Sequence, residues 1–457
     1  MKSHLLVVLL AVAVSGQAQE LTDSRQQEIV FRNVNVIPMD KDRVVPNQVV
    51  VVKDGRISLI GDATMVKYSA NATVIDGTGK YLMPGLTEMH AHVPPIDDIE
   101  PMKKVVLLFA LKGVTTIRGM LGHPRHLELR TKLQSGEILG PRLYTSGPSI
   151  NGQTASNVPT SIKMVRDQKA AGYDFLKLHP GLTLENFNAI VQTAKEVRIP
   201  FAGHVSFKVG VWRAIDAGYA SIDHMDGFVE GLVPGSENIP EQQVGLFAMF
   251  IAQQADTTQI PKLMKGLREH QVWVVPTQSL AERWISPARS PEALGQDPEM
   301  IYMQPNTVSN WVNTKKTLMN NPNYRAPEVE RYVALRRKLI KACQQQGVGL
   351  LLGSDAPQVF DVPGFSLHHE LGYMVKAGLT PYEALRTGTV NPARFFKQED
   401  AGFIKAGAIA DLILLNSNPL KNIEASSDIA GVCLAGRWLS NAYIDAALKK
   451  LAQEKTN

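Results

Sequence analysis

Cysteine is scarce in this chain: Cys343 and Cys433 are the only two among 457 residues. A disulfide-dense small domain is therefore excluded, because such domains use several bridges in place of a large core. The two cysteines fall in segments that we assign to different domains. We expect two separate buried thiols, and a bridge between them is the alternative for an exported protein.

Beyond the N-terminal segment the sequence has no run of about 18 apolar residues, so no membrane span is predicted there. Long runs of one charge are also absent. The 48 basic and 43 acidic residues give a formal net charge of +5 without a concentrated basic stretch, so we expect no nucleic-acid partner. A composition that is 44% hydrophobic and 20% charged is typical of a globular protein with a large core.

The first 18 residues have the features of a secretory signal peptide. Lys2 supplies a positive charge, residues 5–14 are apolar, and Gly16 and Ala18 place small residues where a signal peptidase cuts. The apolar stretch is too short to span a bilayer. We therefore expect residues 1–18 to be removed, the mature chain to begin near Gln19, and the protein to be periplasmic or secreted.

Strand patterns at the two ends of the chain bracket a long middle. The stretch QVVVVKDGRISLIG is typical of a hairpin, with Asp54 and Gly55 at its turn. Near the C-terminus, ADLILLN and GVCLAGRWL are further strand patterns. We expect residues 19–82 and 397–457 to form one small β-sandwich domain.

Residues 83–396 alternate between strand and helix patterns. The eight candidate strands are LMPGLTEMH, GVTTIRG, RLYTSG, DFLKLH, PFAGHV, SIDHMDG, VWVVPTQ and VGLLLGSDA. This alternation predicts an α/β fold with a (β/α)8 barrel of the TIM type. The interval 279–347 is too long for one helix, and we expect either a lid over the barrel or the contact of a homo-oligomer.

Polar residues stand at the ends of five candidate strands, where such barrels carry their active sites. Taken singly, each has an ordinary explanation: a histidine can be hydrogen-bonded in a core, Asp355 can cap a helix, and Lys177 can extend to solvent. His90 and His92 are two residues apart, so in a strand they face the same side and can bind one metal ion. Gathered at one end of a barrel, the set indicates a metal site: His90, His92, Lys177, His204, His224 and Asp355.

These motifs resemble the amidohydrolase superfamily, nearest its imidazolonepropionase-like and prolidase-like metal-dependent members. The resemblance covers nearly all of the expected mature chain and rests on MPGLTEMHAH, GVTTIRG, SIDHMDG, GSDAP and GAIADLILLNSNPL. It implies the same barrel, a β-sandwich formed by both chain ends, and a centre of two divalent metal ions, with zinc as the default.

The resemblance also implies a role for each residue. The first-strand histidines and Asp355 would hold one metal, His204 and His224 the other, and Lys177, carboxylated by carbon dioxide, would bridge both. A metal-activated hydroxide would attack the substrate, and Asp355 would transfer its proton to the leaving amine. His179 stands where many relatives have a tyrosine, and it is a candidate for binding the substrate.

The leading hypothesis is an exported hydrolase that cleaves C–N amide bonds of small peptides or N-acyl amino acids. A cyclic amide, a lactone or another ester is an alternative substrate for the same centre. A catalytically inactive metal-binding protein is a further alternative, and the complete ligand set argues against it.

Overall fold

The computed structural model describes residues 28–454. The predicted signal peptide, residues 1–18, and the predicted mature terminus at Gln19 lie outside this range. Within it, no helix combines the length and the apolar character needed to cross a membrane.

The described residues form strands and helices in an alternating order through the middle of the chain. The strands are β1 (Ile29–Val36), β2 (Val45–Lys53), β3 (Arg56–Asp62), β4 (Thr73–Asp76), β5 (Tyr81–Pro84), β6 (Leu86–Ala91), β7 (Val114–Gly119), β8 (Arg142–Thr145), β9 (Leu176–Leu178), β10 (Phe201–Gly203), β11 (Ser221–Asp223), β12 (Trp273–Val275), β13 (Leu412–Leu415), β14 (Ile429–Leu434) and β15 (Arg437–Ser440). The helices are α1 (Ile99–Leu111), α2 (Pro124–Ser135), α3 (Val158–Ala171), α4 (Leu184–Val197), α5 (Val211–Ala217), α6 (Phe228–Leu232), α7 (Glu241–Val244), α8 (Ile260–Glu269), α9 (Pro291–Gly295), α10 (Pro305–Met319), α11 (Ala326–Gln345), α12 (Phe365–Lys376), α13 (Pro381–Thr387), α14 (Val390–Phe395) and α15 (Asn441–Gln453).

Both ends of the described chain contribute strands to one mixed sheet of eight strands. Its order is β15-β14-β13-β5-β1-β2-β3, and β4 pairs with β1. The predicted hairpin joins β2 to β3, and Asp54 and Gly55 at its turn have φ angles of 51° and 72°. Positive φ at both central residues matches the right-handed twist of the two strands, which explains why an Asp-Gly pair forms this turn.

The two faces of this sheet pack differently because side chains alternate along a strand. In β13, Leu412 and Leu414 contact other residues of the terminal sheet, whereas Ile413 and Leu415 belong to the main hydrophobic core. That core also contains the inner faces of helices such as α4, which begins after the N-cap Thr183. The terminal strands are therefore anchored to the centre of the molecule.

The middle of the chain contains two parallel sheets. One has the order β6-β7-β8, the other has the order β12-β11-β10-β9, and helices connect successive strands. The predicted α/β fold with parallel strands is confirmed. Parallel strands place their carboxyl ends at one edge, which is where the candidate site residues follow in the sequence.

Single backbone contacts connect these two sheets at both sides. Ser146 forms a parallel bridge with Phe175, next to β8 and β9. On the other side, Val274 of β12 donates its N–H to the Gly349 carbonyl, and Met89 of β6 donates to the Leu352 carbonyl. The segment 349–352 thus lies between β12 and β6.

Two predicted strands differ from the structure. The pattern at 82–90 is divided, since β5 belongs to the terminal sheet and β6 to a parallel sheet. Gly85 lies at the division, where a Cβ would stand 2.3 Å from Thr115 Oγ1. The eighth pattern, residues 348–356, which we call the eighth segment, forms no regular strand among the described residues, and Leu350 makes only a single bridge there. Two later residues of this segment are held by hydrogen bonds to β6 instead: the Ser354 N–H donates to the Glu88 carboxylate, and the Asp355 N–H donates to the His90 carbonyl.

The thiols of Cys343 and Cys433 are free and buried, as predicted. The interval 279–347 contains a π-helical turn at Leu280–Ile285 followed by α9, α10 and α11. Trp284 of that turn and Tyr324 each pack beside a hydrophobic cluster of buried residues. The interval is a packed part of the fold, and its predicted role in a homo-oligomer stays a prediction.

Gly353 should be required for the alignment of β6 with the eighth segment. An alanine Cβ there would lie 2.5 Å from Val275 Cγ1 and 3.0 Å from the His90 nitrogen. We expect Gly353→Ala to reduce the free energy of unfolding by about 1–3 kcal/mol, the usual cost of overpacking. Urea denaturation will measure the free energy of unfolding. Zinc titration of the same preparation will measure whether zinc binding, which we assign in part to His90, is weakened.

The matched control is Gly266→Ala in α8, where the nearest atom to a new Cβ lies at 3.6 Å. Alanine is favoured over glycine inside a helix by roughly 1 kcal/mol, so this variant should be neutral or stabilised. Equal stability of the two variants would show that the close approach at Gly353 is not a constraint.

Candidate metal centre

The six predicted ligands lie together at the carboxyl ends of the parallel strands. They come from β6 and β9, from the residues directly after β6, β10 and β11, and from the eighth segment. His90, Lys177, His224 and Asp355 are at most 4% exposed. The ring centroids of His90 and His224 are 4.5 Å apart, as are those of His224 and His204.

Three of these residues form a compact group that could hold a metal ion. One ligand atom from each of His90, His92 and Asp355 lies within 4.8 Å of the other two. Asp355 Oδ1 is 2.7 Å from His92 Nε2 and 3.2 Å from His90 Nε2. His90 in β6 and His92 directly after it are two residues apart, and both imidazoles reach the same carboxylate.

The donor atoms of this group fit a metal. His92 Nε2 and Asp355 Oδ1 are buried and have no partner in good hydrogen-bond geometry, although they lie close together. Buried polar atoms rarely lack a hydrogen-bond partner unless they bind an ion or a ligand. Imidazole nitrogens with a carboxylate oxygen are ligands typical of zinc.

His204 and His224 each have one ring nitrogen fixed by a neighbour. His204 Nδ1 is 2.9 Å from Asp226 Oδ2, and His224 Nδ1 is 2.8 Å from Thr277 Oγ1. Burial, together with the nearby His90, holds the pKa of His224 well below its usual range. A neutral imidazole whose Nδ1 is engaged leaves Nε2 for a metal, the arrangement common around metal-binding histidines.

Lys177 is fully buried among the predicted ligands. Its Nζ lies 3.4 Å from His90 Nε2 and 3.6 Å from Asp223 Oδ2. Burial lowers the pKa of Lys177. Its side chain passes over Gly203, where a Cβ would stand 2.7 Å from Lys177 Cδ. Glycine at that position is needed to admit the lysine side chain to the site.

Asp223 places its carboxylate among basic side chains from three other strands. Its Oδ1 is 3.1 Å from Arg118 Nη2, and its Oδ2 is 3.1 Å from His90 Nδ1. Burial opposes ionisation of Asp223, but Arg118 and Lys177 together lower its pKa. Arg118 also donates to the Met89 carbonyl, so the pair connects β7, β11 and β6 beneath the site.

Glu88 connects β6 to the eighth segment. Its carboxylate accepts hydrogen bonds from the His90 backbone nitrogen and from the backbone and hydroxyl of Ser354. Burial raises the pKa of Glu88 to about 8. These bonds replace the regular strand ladder at the point where Asp355 is presented.

Several residues at the site have left-handed backbone conformations. His224, Thr277 and Asp355 have φ angles of 61°, 46° and 70°. Such conformations cost of order 1–3 kcal/mol for residues other than glycine and occur often at functional sites. The surrounding hydrogen bonds hold these residues in place, and strain at three neighbouring points agrees with a functional role.

The site opens into a cavity of about 450 Å³, which we call the histidine cavity. His179 lines it, and its ring lies 5.2 Å from that of His204. His179 Nδ1 is 2.8 Å from Ser149 Oγ, and burial followed by the charge of Lys177 lowers the pKa of His179 to about 2. The imidazole is therefore neutral and can donate or accept a hydrogen bond in the cavity.

Several residues that the site uses were not predicted from the sequence. Arg118 stands inside the strand pattern GVTTIRG, and a charged residue within a buried strand is a signal for a pair. Glu88 precedes His90 by two residues and so shares its strand face. Asp226 follows His224 by two residues, but nothing local indicates its contact with His204.

Removing Arg118 should destabilise the fold through the charge left on Asp223. We expect Arg118→Met to lower the free energy of unfolding by about 3–5 kcal/mol, the range for a buried pair that loses one partner. Asp223→Asn in the same chain should recover part of that loss, because the unpaired charge is gone. Chemical denaturation of the single and double variants will measure the coupling.

The control is Arg43→Met at the exposed pair with Asp40, whose closest atoms are 2.7 Å apart. Solvent screens such a pair, so little change in stability is expected. If Arg118→Met were as stable as this control, Arg118 would not be neutralising Asp223.

Comparison with known proteins agrees with these observations. The family model described as "Amidohydrolase family" matches residues 81–439. Imidazolonepropionase from Idiomarina loihiensis is 20% identical over 402 residues, which cover 84% of this chain and 90% of that protein. Enamidase from Eubacterium barkeri is 35% identical over 98 residues, and the match covers 21% of this chain but only 25% of that protein.

A solved structure shares the fold. It is described as a Xaa-Pro dipeptidase with bound methionine in the active site, and it has a TM-score of 0.66 at 19% identity over 91% of this chain and 100% of that chain. The family match covers most of the chain, and the His–Asp group that could hold a metal lies within it. The chain belongs to the amidohydrolase family, as its motifs predicted, and is an enzyme of that class.

Proposed function

We propose that this protein is an exported amidohydrolase that uses two metal ions to cleave C–N amide bonds of small peptides or N-acyl amino acids. The observation that carries the proposal is the group of His90, His92 and Asp355 at the base of the histidine cavity. Similarity to the Xaa-Pro dipeptidase supports the peptide class. Export rests on the signal-like residues 1–18 alone.

The fold around the site is a further part of the proposal. We propose that the two parallel sheets and the segment 349–352 close into a (β/α)8 barrel, supported by the backbone bonds of Val274 and Met89 to that segment. We also propose that the eight-stranded terminal sheet forms a β-sandwich, supported by the core enclosed between its strands.

Six residues would hold the two metals. The group just described would bind one, and His204 and His224 would bind the other through the nitrogens that Asp226 and Thr277 leave available. Lys177, carboxylated on Nζ by carbon dioxide, would bridge the pair. Zinc suits histidine and carboxylate ligands. A carbamate also explains why a lysine is fully buried beside His90.

Proton transfer and substrate binding are assigned to residues of the chain itself. When bound, the metals supply an activated water and polarise the scissile carbonyl. Asp355 Oδ2 takes the proton of the attacking water and passes it to the leaving nitrogen. His179 is neutral, and with Nδ1 held by Ser149 it donates from Nε2 to the substrate carbonyl.

A substrate panel on zinc-reconstituted protein tests this proposal. It should contain dipeptides, N-acyl amino acids, cyclic amides, lactones and simple esters, with release of product measured for each. We expect turnover of the first two classes. Turnover confined to cyclic amides, lactones or esters would reject the substrate class, and metal binding with no turnover on any class would reject the enzyme activity.

Asp355→Asn should separate proton transfer from metal binding. Asparagine keeps the shape and one oxygen ligand but does not accept the proton, so kcat should fall by roughly 10²–10⁴-fold while much of the metal remains. Metal content and kcat are measured on the same preparation. The control is Asp361→Asn, a buried carboxylate bonded to Ser279 away from the cavity lining, and its kcat should stay near that of the natural protein.

Lys177→Ala should lose at least one of about two metals per chain and most of the activity, because alanine provides no bridging oxygen. Short carboxylic acids should restore part of the activity by occupying the vacated position. Elemental analysis and activity assays in bicarbonate-free buffer measure both effects. A fully active natural protein with one metal would contradict the two-metal centre.

Lys315→Ala is the matched control for this substitution. Lys315 is also buried, but its Nζ donates to the carbonyls of Arg283 and Ser286 at 2.6 and 2.7 Å. This variant should lose stability and keep its metals. If both lysine variants lost metal equally, the loss would reflect general destabilisation.

A further inference from the structure

Part of the wall of the histidine cavity carries acidic side chains. Asp226, Glu230 and Glu241 line the cavity, and no lysine or arginine is among the described residues that line it. Asp226 already has a partner, since its Oδ2 contacts His204 Nδ1 at 2.9 Å. Glu241 is exposed near the rim. Glu230 is the acidic residue whose pairing is incomplete.

Glu230 has a buried carboxylate oxygen without a partner. Oε2 forms no hydrogen bond in the described structure, although the backbone carbonyl of the same residue accepts from Ser236 Oγ at 2.8 Å. Burial and the nearby Asp226 raise the pKa of Glu230 to about 8, so an adjacent bound cation, which lowers that pKa, is needed to hold the carboxylate ionised at neutral pH. An orphaned buried acceptor at a cavity wall is expected to find its partner in a ligand.

In the described structure, no hydrogen bond joins the nearby Arg336 to Glu230 Oε2. Arg336 lies 5.9 Å behind the ring of Phe247, which also lines the cavity. Its guanidinium donates to Gln278 Oε1 and to the carbonyls of His224 and Pro276. Those bonds engage each nitrogen of the guanidinium, and none of them goes to an acidic side chain of the cavity.

A second orphaned group faces the same cavity. Trp284, on the π-helical turn Leu280–Ile285, lines the cavity, and its Nε1 is buried without a hydrogen-bond partner. This group is a donor, whereas Glu230 Oε2 is an acceptor. A ligand that satisfies both carries a positively charged donor and an oxygen acceptor, as amino-acid derivatives do.

We propose that Glu230 is a specificity-determining residue that binds an alkylammonium group of the substrate, so that the enzyme prefers small amides carrying such a cation. This inference rests on the proposed function and deepens it. The ammonium can come from a basic side chain or from the free α-amine of the substrate. The Trp284 N–H would bind an oxygen of the same molecule.

Pairs of substrates that differ by one charge test the proposal. L-alanyl-L-lysine is compared with L-alanyl-L-norleucine for the side-chain amine, and L-alanyl-L-norleucine with its N-acetyl derivative for the α-amine. In the natural protein kcat/KM should be at least about tenfold higher for the cationic member of one pair, since a buried carboxylate discriminates strongly against a ligand that leaves it unpaired. Whichever pair shows the preference identifies the source of the ammonium.

Glu230→Gln should abolish that preference, with kcat/KM falling at least about tenfold more for the cationic member than for the uncharged member. Glutamine keeps the size of the side chain and removes its charge. The control is Glu237→Gln, an exposed glutamate of the following loop that does not line the cavity, and it should keep the preference. Equal loss on charged and uncharged substrates would assign Glu230 a structural role, and an unchanged preference would overturn the proposal.

Binding without turnover distinguishes this proposal from the proposed hydrolysis. Calorimetry of zinc-loaded protein compares L-lysine with L-norleucine, and L-norleucine with N-acetyl-L-norleucine. Tighter binding of the cationic member in the natural protein but not in Glu230→Gln supports the cation site even if no amide is hydrolysed. Hydrolysis of amides with no dependence of kcat/KM or binding on the charge would reject the cation site and leave the proposed function standing.

Discussion

The contact of Asp223 with three basic side chains is the interaction on which the site depends. One carboxylate lies within 3.1 Å of Arg118 and His90 and within 3.6 Å of Lys177. These residues belong to β11, β7, β6 and β9. Charges buried away from water are tolerated only when they are paired and hydrogen-bonded. The pairing with Arg118 therefore neutralises the buried carboxylate of Asp223, and the contacts of this carboxylate connect four strands.

The rest of the site is arranged around this centre by bonds that replace regular strand pairing. Glu88 fixes Ser354, and the next residue, Asp355, has the left-handed backbone that turns its carboxylate toward His92. Thr277 and Asp226 fix the other two histidines through Nδ1. Each of these partners comes from an element different from that of the ligand it supports, except that Glu88 and His90 share β6.

Under the proposed function, the same cavity combines the metal ligands with a recognition site. The candidate metal ligands His90, His92 and Asp355 line it, and so do Glu230 and Trp284. Trp284 enters the cavity because the interval 279–347 begins with a π-helical turn directly after β12. A segment that the sequence left open as a lid or an oligomer contact therefore contributes to the pocket wall.

The sequence by itself determined the α/β class, the hairpin at Asp54 and Gly55 and the family, because these depend on local alternation, turn chemistry and short motifs. His90 and His92 could be assigned to one face because a strand has a period of two residues. The contacts of Asp226 with His204 and of Arg118 with Asp223 join residues 22 and 105 positions apart, and no local pattern encodes such pairs. The division of 82–90 into two strands and the irregular eighth segment likewise follow from contacts with distant residues. Only the tertiary structure decided these features, since the energy of a buried charge depends on what surrounds it in space.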